Sequence, residues 1–174
     1  MKQCIKKGKH DFSFDFPSFC WNPSSQSYSI TPLEGTDYNV LPDKDQWDWN
    51  KGGGFTFSLL SNTTYAVMWA WRYNPLLQVM EYALYTHDKS YDERFKVELL
   101  GSAPINETVV IELRVEKKEY VAKFNSSLVS TTLKAPKSHN RKLCRKIGMW
   151  FGGANNEPEP YGGVAPQDMC FEVS

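Results

Sequence analysis

The sequence predicts an all-β protein, a two-sheet antiparallel β-sandwich or a barrel, and three observations support this. Aromatic residues make up 14% of the 174 residues, alongside ten prolines and eleven glycines, a composition that favours sheet over helix. Apolar and polar side chains alternate with a period of two along most of the chain, as in half-buried strands. Turn-forming residues separate these segments about every eight to twelve residues, which is typical of antiparallel sandwiches and barrels.

The N-terminal part of the chain is the least regular. Residues 11–16 alternate Asp or Ser with Phe, which predicts a first strand. Residues 17–50 are rich in Ser, Pro and Asn in their first half, and we expect them to form a largely irregular loop around one end of the sandwich. With a length suited to one sizeable core, the chain is expected to form a single β-sandwich domain over residues 1–174.

The remaining strands follow from alternation and from turn signals such as Asn74-Pro75 and Gly101 with Pro104. They are expected at residues 55–59, 67–73, 80–87, 95–99, 109–116, 120–124, 128–133, 147–151 and 169–173. No segment of useful length carries apolar residues at helical spacing, so the sequence predicts no helix.

The charge balance argues against two classes of partner. Twenty basic and twenty acidic side chains give a formal net charge of zero, so no overall field attracts nucleic acid or an anionic membrane surface. No window approaches the roughly 18 apolar residues that span a bilayer, and the N-terminus lacks the apolar stretch of a signal peptide. We expect the chain to remain inside the cell that makes it or to have lost a leader. The basic run 134–146 is interpreted as a solvated loop rather than an anion site.

The cysteines do not form a metal-binding pattern. Cys4, Cys20, Cys144 and Cys170 have neither Cys-x-x-Cys spacing nor a histidine at ligand distance, which argues against zinc. Their disulfide state stays open at this point. Three glycosylation sequons, at Asn62, Asn106 and Asn125, do not decide the compartment. No cofactor is expected, and no spacing typical of a calcium loop is present.

Three short motifs together carry a resemblance to a known group of proteins. They are Asp-Gln-Trp-Asp-Trp-Asn-Lys at 45–51, Trp-Arg-Tyr-Asn at 71–74, and Phe-Gly-Gly at 151–153 with Ala-Pro-Gln-Asp-Met at 165–169. They resemble a group of small bacterial and phage proteins that is similar to the concanavalin A-like lectin and glucanase superfamily. The resemblance implies a two-sheet jelly roll with a concave face. The chain departs from the group in its longer loop at 154–164.

The alternation also predicts which face of the sheet is buried, because choosing one face as core fixes the other. The bulky sets at 69/71/73, 80/82/84, 147/149/151 and 169/171/173 are expected in the core. The opposite face then carries small residues at 70, 83 and 148 on the floor of a groove, with Asp168 and Glu172 on the same side. Its candidate ligand-binding residues are Arg72, Glu81, Tyr85, His87 and Trp150.

An aromatic plate beside paired charged groups is the combination that a sugar ring requires. Simpler interpretations stand beside this one: a cross-strand Arg72–Glu81 ion pair, a turn-side role for His87, and loop anchoring by Trp47 and Trp49.

The leading functional prediction is a non-catalytic, lectin-like module that binds a glycan or polysaccharide. The chain has no strand with alternating carboxylates of the kind retaining glucanases use, and it has no Gln-x-His of the kind found in alginate lyases of similar shape, so we expect no catalytic residues. The first alternative is a structural protein of a virion or surface assembly, in contact with other subunits. It is suggested by the missing leader and the phage members of the group. The second alternative is a polysaccharide hydrolase or lyase.

Overall fold

The computed structural model describes residues 1–9, 18–41, 44–59, 64–87, 96–151 and 165–174. Within these ranges the chain forms strands and a single turn of 3-10 helix at Lys44–Trp47, with no α-helix. The strand predicted at residues 11–16 lies outside the described residues. No helix in the described ranges is long and apolar enough to cross a membrane.

Twelve strands of the described chain form two six-stranded sheets in which every neighbouring pair is antiparallel. Sheet A contains, from edge to edge, β1 (Lys2–Ile5), β12 (Met169–Val173), β3 (Ser25–Pro32), β8 (Val109–Val115), β9 (Glu119–Asn125) and β10 (Ser130–Pro136). Sheet B contains β2 (Phe19–Trp21), β11 (Leu143–Ile147), β4 (Asn50–Thr56), β5 (Ala66–Asn74), β6 (Val79–His87) and β7 (Lys96–Ala103). The predicted all-β, two-sheet antiparallel β-sandwich is confirmed.

One part of the N-terminal prediction is wrong. Residues 17–50 were expected to be largely irregular, yet Ser25–Pro32 form β3, which lies in sheet A between β12 and β8. Tyr28 and Ile30 of this strand point into the core, while Ser25, Ser27 and Ser29 occupy the alternate positions. The serines resemble a loop in composition, and the strand forms because two neighbours supply its hydrogen bonds.

The predicted core face is confirmed in the central strands of sheet B. Trp69, Trp71 and Tyr82 are fully buried between the sheets, and burying each such ring contributes about 2–3 kcal/mol by area. Gly52 is required by this packing, because a Cβ there would lie 2.1 Å from the Trp69 indole. The close approach of backbone to ring explains part of the glycine run at 52–54.

The alternation fails in one of the predicted sets. Met149 and Phe151 lie in the core as expected, but Ile147 packs on the opposite face of sheet B. β11 ends at Ile147, and the chain leaves the strand before Trp150 forms an isolated bridge with Lys51. Because strand geometry is interrupted at Gly148 and Met149, the two-residue period does not continue through them.

All four cysteines form disulfide bonds, which settles the question that the sequence left open. Cys4 is joined to Cys170, and Cys20 is joined to Cys144. The first bond ties edge strand β1 to β12 in sheet A, and the second ties edge strand β2 to β11 in sheet B. Each sheet therefore has one short edge strand that is covalently held to its neighbour.

Candidate functional site

The outer face of sheet B, turned away from sheet A, carries the predicted site residues, and the strand register places each of them. Across this face, Ile147 lies opposite Gly54, Gly54 opposite Met68, and Met68 opposite Tyr85. The next row contains Lys51, Ala70 and Ala83, and the row after it pairs Arg72 with Glu81.

The floor of this face is not the open groove that the sequence predicted. Met68, Ala70 and Ala83 are fully buried, Tyr85 is 2% exposed, and His87 is 8% exposed. Together with Ala66 and Ile147, the residues Met68, Ala70, Ala83 and Tyr85 form a second hydrophobic cluster on this face. The half-buried rings of Trp49 and Trp150 pack against it. The prediction that these side chains face outward from the core is correct, but the expectation of a solvent-filled hollow is wrong because aromatic side chains cover the alanine floor.

Arg72 and Glu81 form an ion pair at one end of the face. Arg72 Nε donates to Glu81 Oε2 at 2.7 Å, and Asn74 Nδ2 donates to Glu81 Oε1 at 2.8 Å. The Arg72 guanidinium also donates to the Trp47 carbonyl at 2.8 Å and lies 4.3 Å from the centroid of the Trp49 ring. Both oxygens of Glu81 are therefore engaged, and the guanidinium is fixed on several sides.

The first two sequence motifs meet at this ion pair. Trp47 and Trp49 come from the segment before β4, while Arg72 and Asn74 come from the end of β5. Gln46 links the two motifs by donating to the Tyr73 carbonyl at 2.9 Å. The ion pair and the tryptophan contacts of the simpler interpretations are therefore both present, and together they hold a guanidinium against two indole rings.

Lys51 is the most unusual charged residue of the face, because it is only 3% exposed. Its Nζ donates to the Trp49 carbonyl at 2.9 Å and lies 5.4 Å from the centroid of the Tyr85 ring. Burial lowers the pKa of this amine to about 8, although the carboxylate of Asp48 acts in the opposite direction. A substantial fraction of Lys51 is therefore an uncharged amine in mildly alkaline solution.

The local backbone explains how a lysine comes to lie over this floor. The register between β4 and β5 shifts between Lys51 and Gly53, and such a bulge redirects side chains. Lys51 lies opposite Ala70, which lies opposite Ala83. Because both neighbours are alanines, the lysine stem extends across them towards Tyr85.

The predicted site residues fall into three separate groups. Arg72 and Glu81 are in contact, and Tyr85 lies under the Lys51 amine. Trp150 is linked to Lys51 by two backbone hydrogen bonds, at 2.9 and 3.2 Å. His87 is six residues from Glu81 along β6, a distance of ~20 Å in a strand, so the structure does not bring these two together.

Asp168 and Glu172 do not belong to this face, contrary to the prediction. Glu172 lies in β12 of sheet A, and the exposed Asp168 just before it accepts a hydrogen bond from Lys6 Nζ at 2.7 Å. Alternation along one strand fixes inside and outside but not the sheet to which the strand belongs. The described residues contain no group of three or more His, Cys, Asp or Glu side chains that could hold a metal ion.

Sequence reasoning missed Lys51 and Asn74. Asn74 was treated only as a turn residue, a role it also has, because its Oδ1 accepts from the backbone of Leu76 and Leu77. Lys51 precedes three glycines, and this was the available signal, since a glycine run within a strand indicates a bulge or a close approach.

Comparisons with known proteins give the fold more clearly than the activity. No protein-family model matches the chain, and no curated protein matches it either. Among solved structures, it is similar to an alginate lyase from Klebsiella pneumoniae, with a TM-score of 0.53 and 8% identity over 91% of this chain. This chain spans 59% of the length of that lyase.

Two other similarities are weaker. An alginate lyase from Pseudomonas aeruginosa matches with a TM-score of 0.49 and 13% identity, over 89% of this chain and 67% of that one. Scytalido-glutamic peptidase matches with a TM-score of 0.46 and 6% identity, over 91% of this chain and 78% of the peptidase. These proteins have the β-sandwich jelly-roll fold in common with the chain.

The comparisons overturn the leading functional prediction. The chain was expected to be a non-catalytic lectin-like module and not an enzyme, whereas the solved structure that it matches with a TM-score of 0.53 is an enzyme, an alginate lyase. The structural alternative, with its phage and virion connection, finds no support among the solved structures.

Proposed function

We propose that the chain is a polysaccharide lyase that cleaves a uronate-containing polymer by β-elimination on the outer face of sheet B. The observation that carries the proposal is the buried Lys51 amine, with its pKa near 8, held over the Tyr85 ring. Proton-transfer residues require a pKa close to the working pH, and burial is the usual way to obtain it. Membership of the concanavalin A-like superfamily and a glycan partner are parts of the same proposal.

The proposed reaction uses the two side chains in sequence. The neutral Lys51 amine takes the proton from the sugar carbon next to the uronate carboxylate. The electron pair of that C–H bond forms a carbon–carbon double bond, and the bond to the glycosidic oxygen breaks. The Tyr85 hydroxyl protonates the departing oxygen. The two residues are then restored by proton exchange with water.

A uronate requires a cation near its carboxylate while negative charge develops. Arg72 lies diagonal to Lys51 across the β4–β5 pair, a separation of about 7–8 Å that a long side chain bridges. The strands of this face contribute Lys51, Arg72 and Arg145 against the carboxylate of Glu81, with Asp48 from the preceding segment. With Lys51 acting as the neutral base, Arg72 and Arg145 balance Glu81 and Asp48, and Arg72 is the arginine that lies diagonal to Lys51.

The state of Glu81 favours a lyase over a hydrolase. Glycoside hydrolysis uses two carboxyl groups, one of them as a proton donor. Both oxygens of Glu81 already accept hydrogen bonds, one from Arg72 and the other from Asn74. A carboxyl group whose two oxygens are both engaged within the protein is badly placed to meet a glycosidic oxygen, whereas the Lys51–Tyr85 pair does not depend on it.

Substrate access requires a local movement. Trp49 and Trp150 are the half-buried aromatic residues that pack against the floor. We expect one of these indoles to rotate outward when a sugar enters. The Klebsiella protein is an alginate lyase, which makes alginate the first polymer to test.

The test compares products on alginate, polygalacturonate, hyaluronan and a neutral β-glucan. Elimination gives an unsaturated end that absorbs ultraviolet light, while a reducing-end assay detects both elimination and hydrolysis. We expect the ultraviolet signal on at least one uronate polymer, with kcat/KM rising as pH increases through about 8 because Lys51 must be neutral.

Lys51→Met and Tyr85→Phe should each lower the rate about 100-fold or more. Lys134→Met, an exposed substitution in sheet A, is the matched control and should retain the rate. New reducing ends without ultraviolet absorbance would show that the chain is a hydrolase and not a lyase. Cleavage that survives Lys51→Met would remove the assigned base.

A further inference from the structure

Two large aromatic side chains are exposed at the edge of sheet B, and the proposed reaction does not use them. Phe19 is 60% exposed and Trp21 is 70% exposed. The other five tryptophans of the chain are buried or half-buried. Leaving such rings in water forgoes the stabilisation that burial gives, so an exposed pair of this kind indicates an interaction site.

The register shows that both rings lie on the outer face of sheet B, the face that carries Lys51. Cys20, between them, is directed towards the core by its bond to the fully buried Cys144. Phe19 lies opposite Arg145, and Trp21 lies opposite Leu143, in β11. Arg145 in turn lies opposite Thr56 of β4, so the row continues towards the centre of the sheet.

The spacing suits an extended ligand. β2 is separated from β4 by one strand, which places the rings about 10 Å from the strand that carries Lys51 in the direction across the sheet. Phe19 shares a row with Arg145, Thr56 and Ala66, and Ala66 is four residues along β5 from the Ala70 that lies opposite Lys51, so the offset along the strands is a further ~13 Å. No described strand lies beyond β2 on this edge. A polymer that runs diagonally across the strands from Lys51 towards β2 would therefore reach Phe19 and then Trp21 after leaving the centre of the face.

The short strand is held in place, although it contains only three residues. The Cys20–Cys144 bond ties its centre to β11. Asn22 N donates to the Lys142 carbonyl at 2.7 Å on one side, and Lys146 N donates to the Ser18 carbonyl at 2.8 Å on the other. The rings are thus presented on a fixed backbone, and fixing a binding surface beforehand lowers the cost of binding.

The surroundings favour a sugar over a second protein. A stable protein interface buries about 800 Å² on each partner around an apolar centre, whereas this patch has three large apolar side chains, Phe19, Trp21 and Leu143. Arg145 lies next to Phe19, and the exposed Lys142 precedes Leu143. A ring face beside cations fits the C–H face of a pyranose that carries a carboxylate.

We infer that Phe19 and Trp21 form a distal subsite that stacks on a sugar unit of an acidic polysaccharide whose other units occupy the face around Lys51. The inference rests on the proposed function for the identity of the polymer. It adds that the chain prefers long substrates to short ones, because only a chain of several units spans the sheet from the Lys51 region to β2.

The test measures binding separately from cleavage. Alginate binding is measured by affinity electrophoresis and by tryptophan fluorescence in the Lys51→Met background, alone and with Trp21→Ala or Phe19→Ala. We expect Trp21→Ala to weaken binding of the polymer about tenfold and to leave binding of an alginate disaccharide unchanged. Leu128→Ala, which alters another exposed apolar residue (82% exposed), is the matched control.

The outcomes separate this inference from the proposed function. Weaker alginate binding in Trp21→Ala, in a protein whose wild type cleaves none of the three uronate polymers, would support the subsite and reject the lyase. Cleavage with unchanged binding and unchanged length preference in Trp21→Ala would reject the subsite alone. Absence of alginate binding, or a dimer in sedimentation that Trp21→Ala dissociates, would overturn the inference, the latter in favour of a second copy of the chain.

Discussion

The outer faces of the two sheets differ in whether their charged side chains are buried. Sheet A has an ordinary solvated face, on which the strand β8 alternates between buried and more exposed positions. Its charged residues pair near solvent, as in Lys134–Glu119 at 2.7 Å and Arg114–Glu112 at 3.8 Å. In sheet B, every residue of β4 is buried, and so are eight of the nine residues of β6. Lys51 and Glu81 lie among them.

The difference shows that the burial of charge in sheet B is not a requirement of the fold. Sheet A is a six-stranded sheet of the same sandwich, and it forms with its charged side chains exposed to solvent. Burying an ion costs stability unless it is paired and hydrogen-bonded, and groups with displaced pKa values concentrate at functional sites. The three predictions below test this comparison, from the largest expected effect to the smallest.

The disulfide bonds should contribute equally to stability but differently to function. They join residues 166 and 124 positions apart, and loss of either should lower the free energy of unfolding by about 5 kcal/mol in the chain-entropy model. Cys4→Ser with Cys170→Ser is compared with Cys20→Ser with Cys144→Ser by urea denaturation. Only the second pair, which holds β2, should also weaken alginate binding at a temperature where both variants are folded. Equal binding by the two would contradict this.

Removing one partner of an ion pair should lower the free energy of unfolding much more in sheet B than in sheet A. Glu81→Ala leaves Arg72 and Asn74 without the acceptor they share, and we expect a loss of about 4 kcal/mol, as for other buried pairs. Glu112→Ala in sheet A should cost less than about 1 kcal/mol, because its contact is long and half-exposed. Chemical denaturation of both variants measures the contrast. Similar losses would mean that the two faces are energetically alike.

The Lys51 amine should make stability depend on pH in a predictable direction. Its pKa falls from 10.5 to about 8 on folding, so between these values the unfolded chain binds more protons, and stability rises with pH. Below about pH 8 the buried ammonium costs up to about 3 kcal/mol, and Lys51→Met should recover part of this.

The stability gained by Lys51→Met should disappear as pH approaches 10.5, the pKa of the unfolded lysine. Lys134 provides the control, since hydrogen bonding to Glu119 raises its pKa. Lys134→Met should therefore show no change of effect across this window. A flat difference between wild type and Lys51→Met from pH 7 to 10 would disprove the assigned burial of charge.

The sequence was sufficient for the strands β5 to β10 and β12 and for the buried side of β5 and β6, but it predicted neither β1 nor β2. It was insufficient at β3, where serines resemble a loop, and at residues 147–151, where the strand prediction coincides with a strand only at Ile147. It also gave no means of assigning Asp168 to a different sheet from Arg72. Each failure concerns pairing between segments that are distant in the chain, which local composition does not encode.

What the sequence determined by itself was the direction of each side chain within a strand, because neighbouring residues must point to opposite faces. That rule placed Trp69 and Trp71 in the core and Arg72 and Glu81 outside it. Only the tertiary structure decided that Lys51 would lie over Tyr85, that aromatic rings would cover the alanine floor, and which cysteines would join. These features depend on a bulge and on the order of strands across the sheets, and so on contacts between residues far apart in the chain.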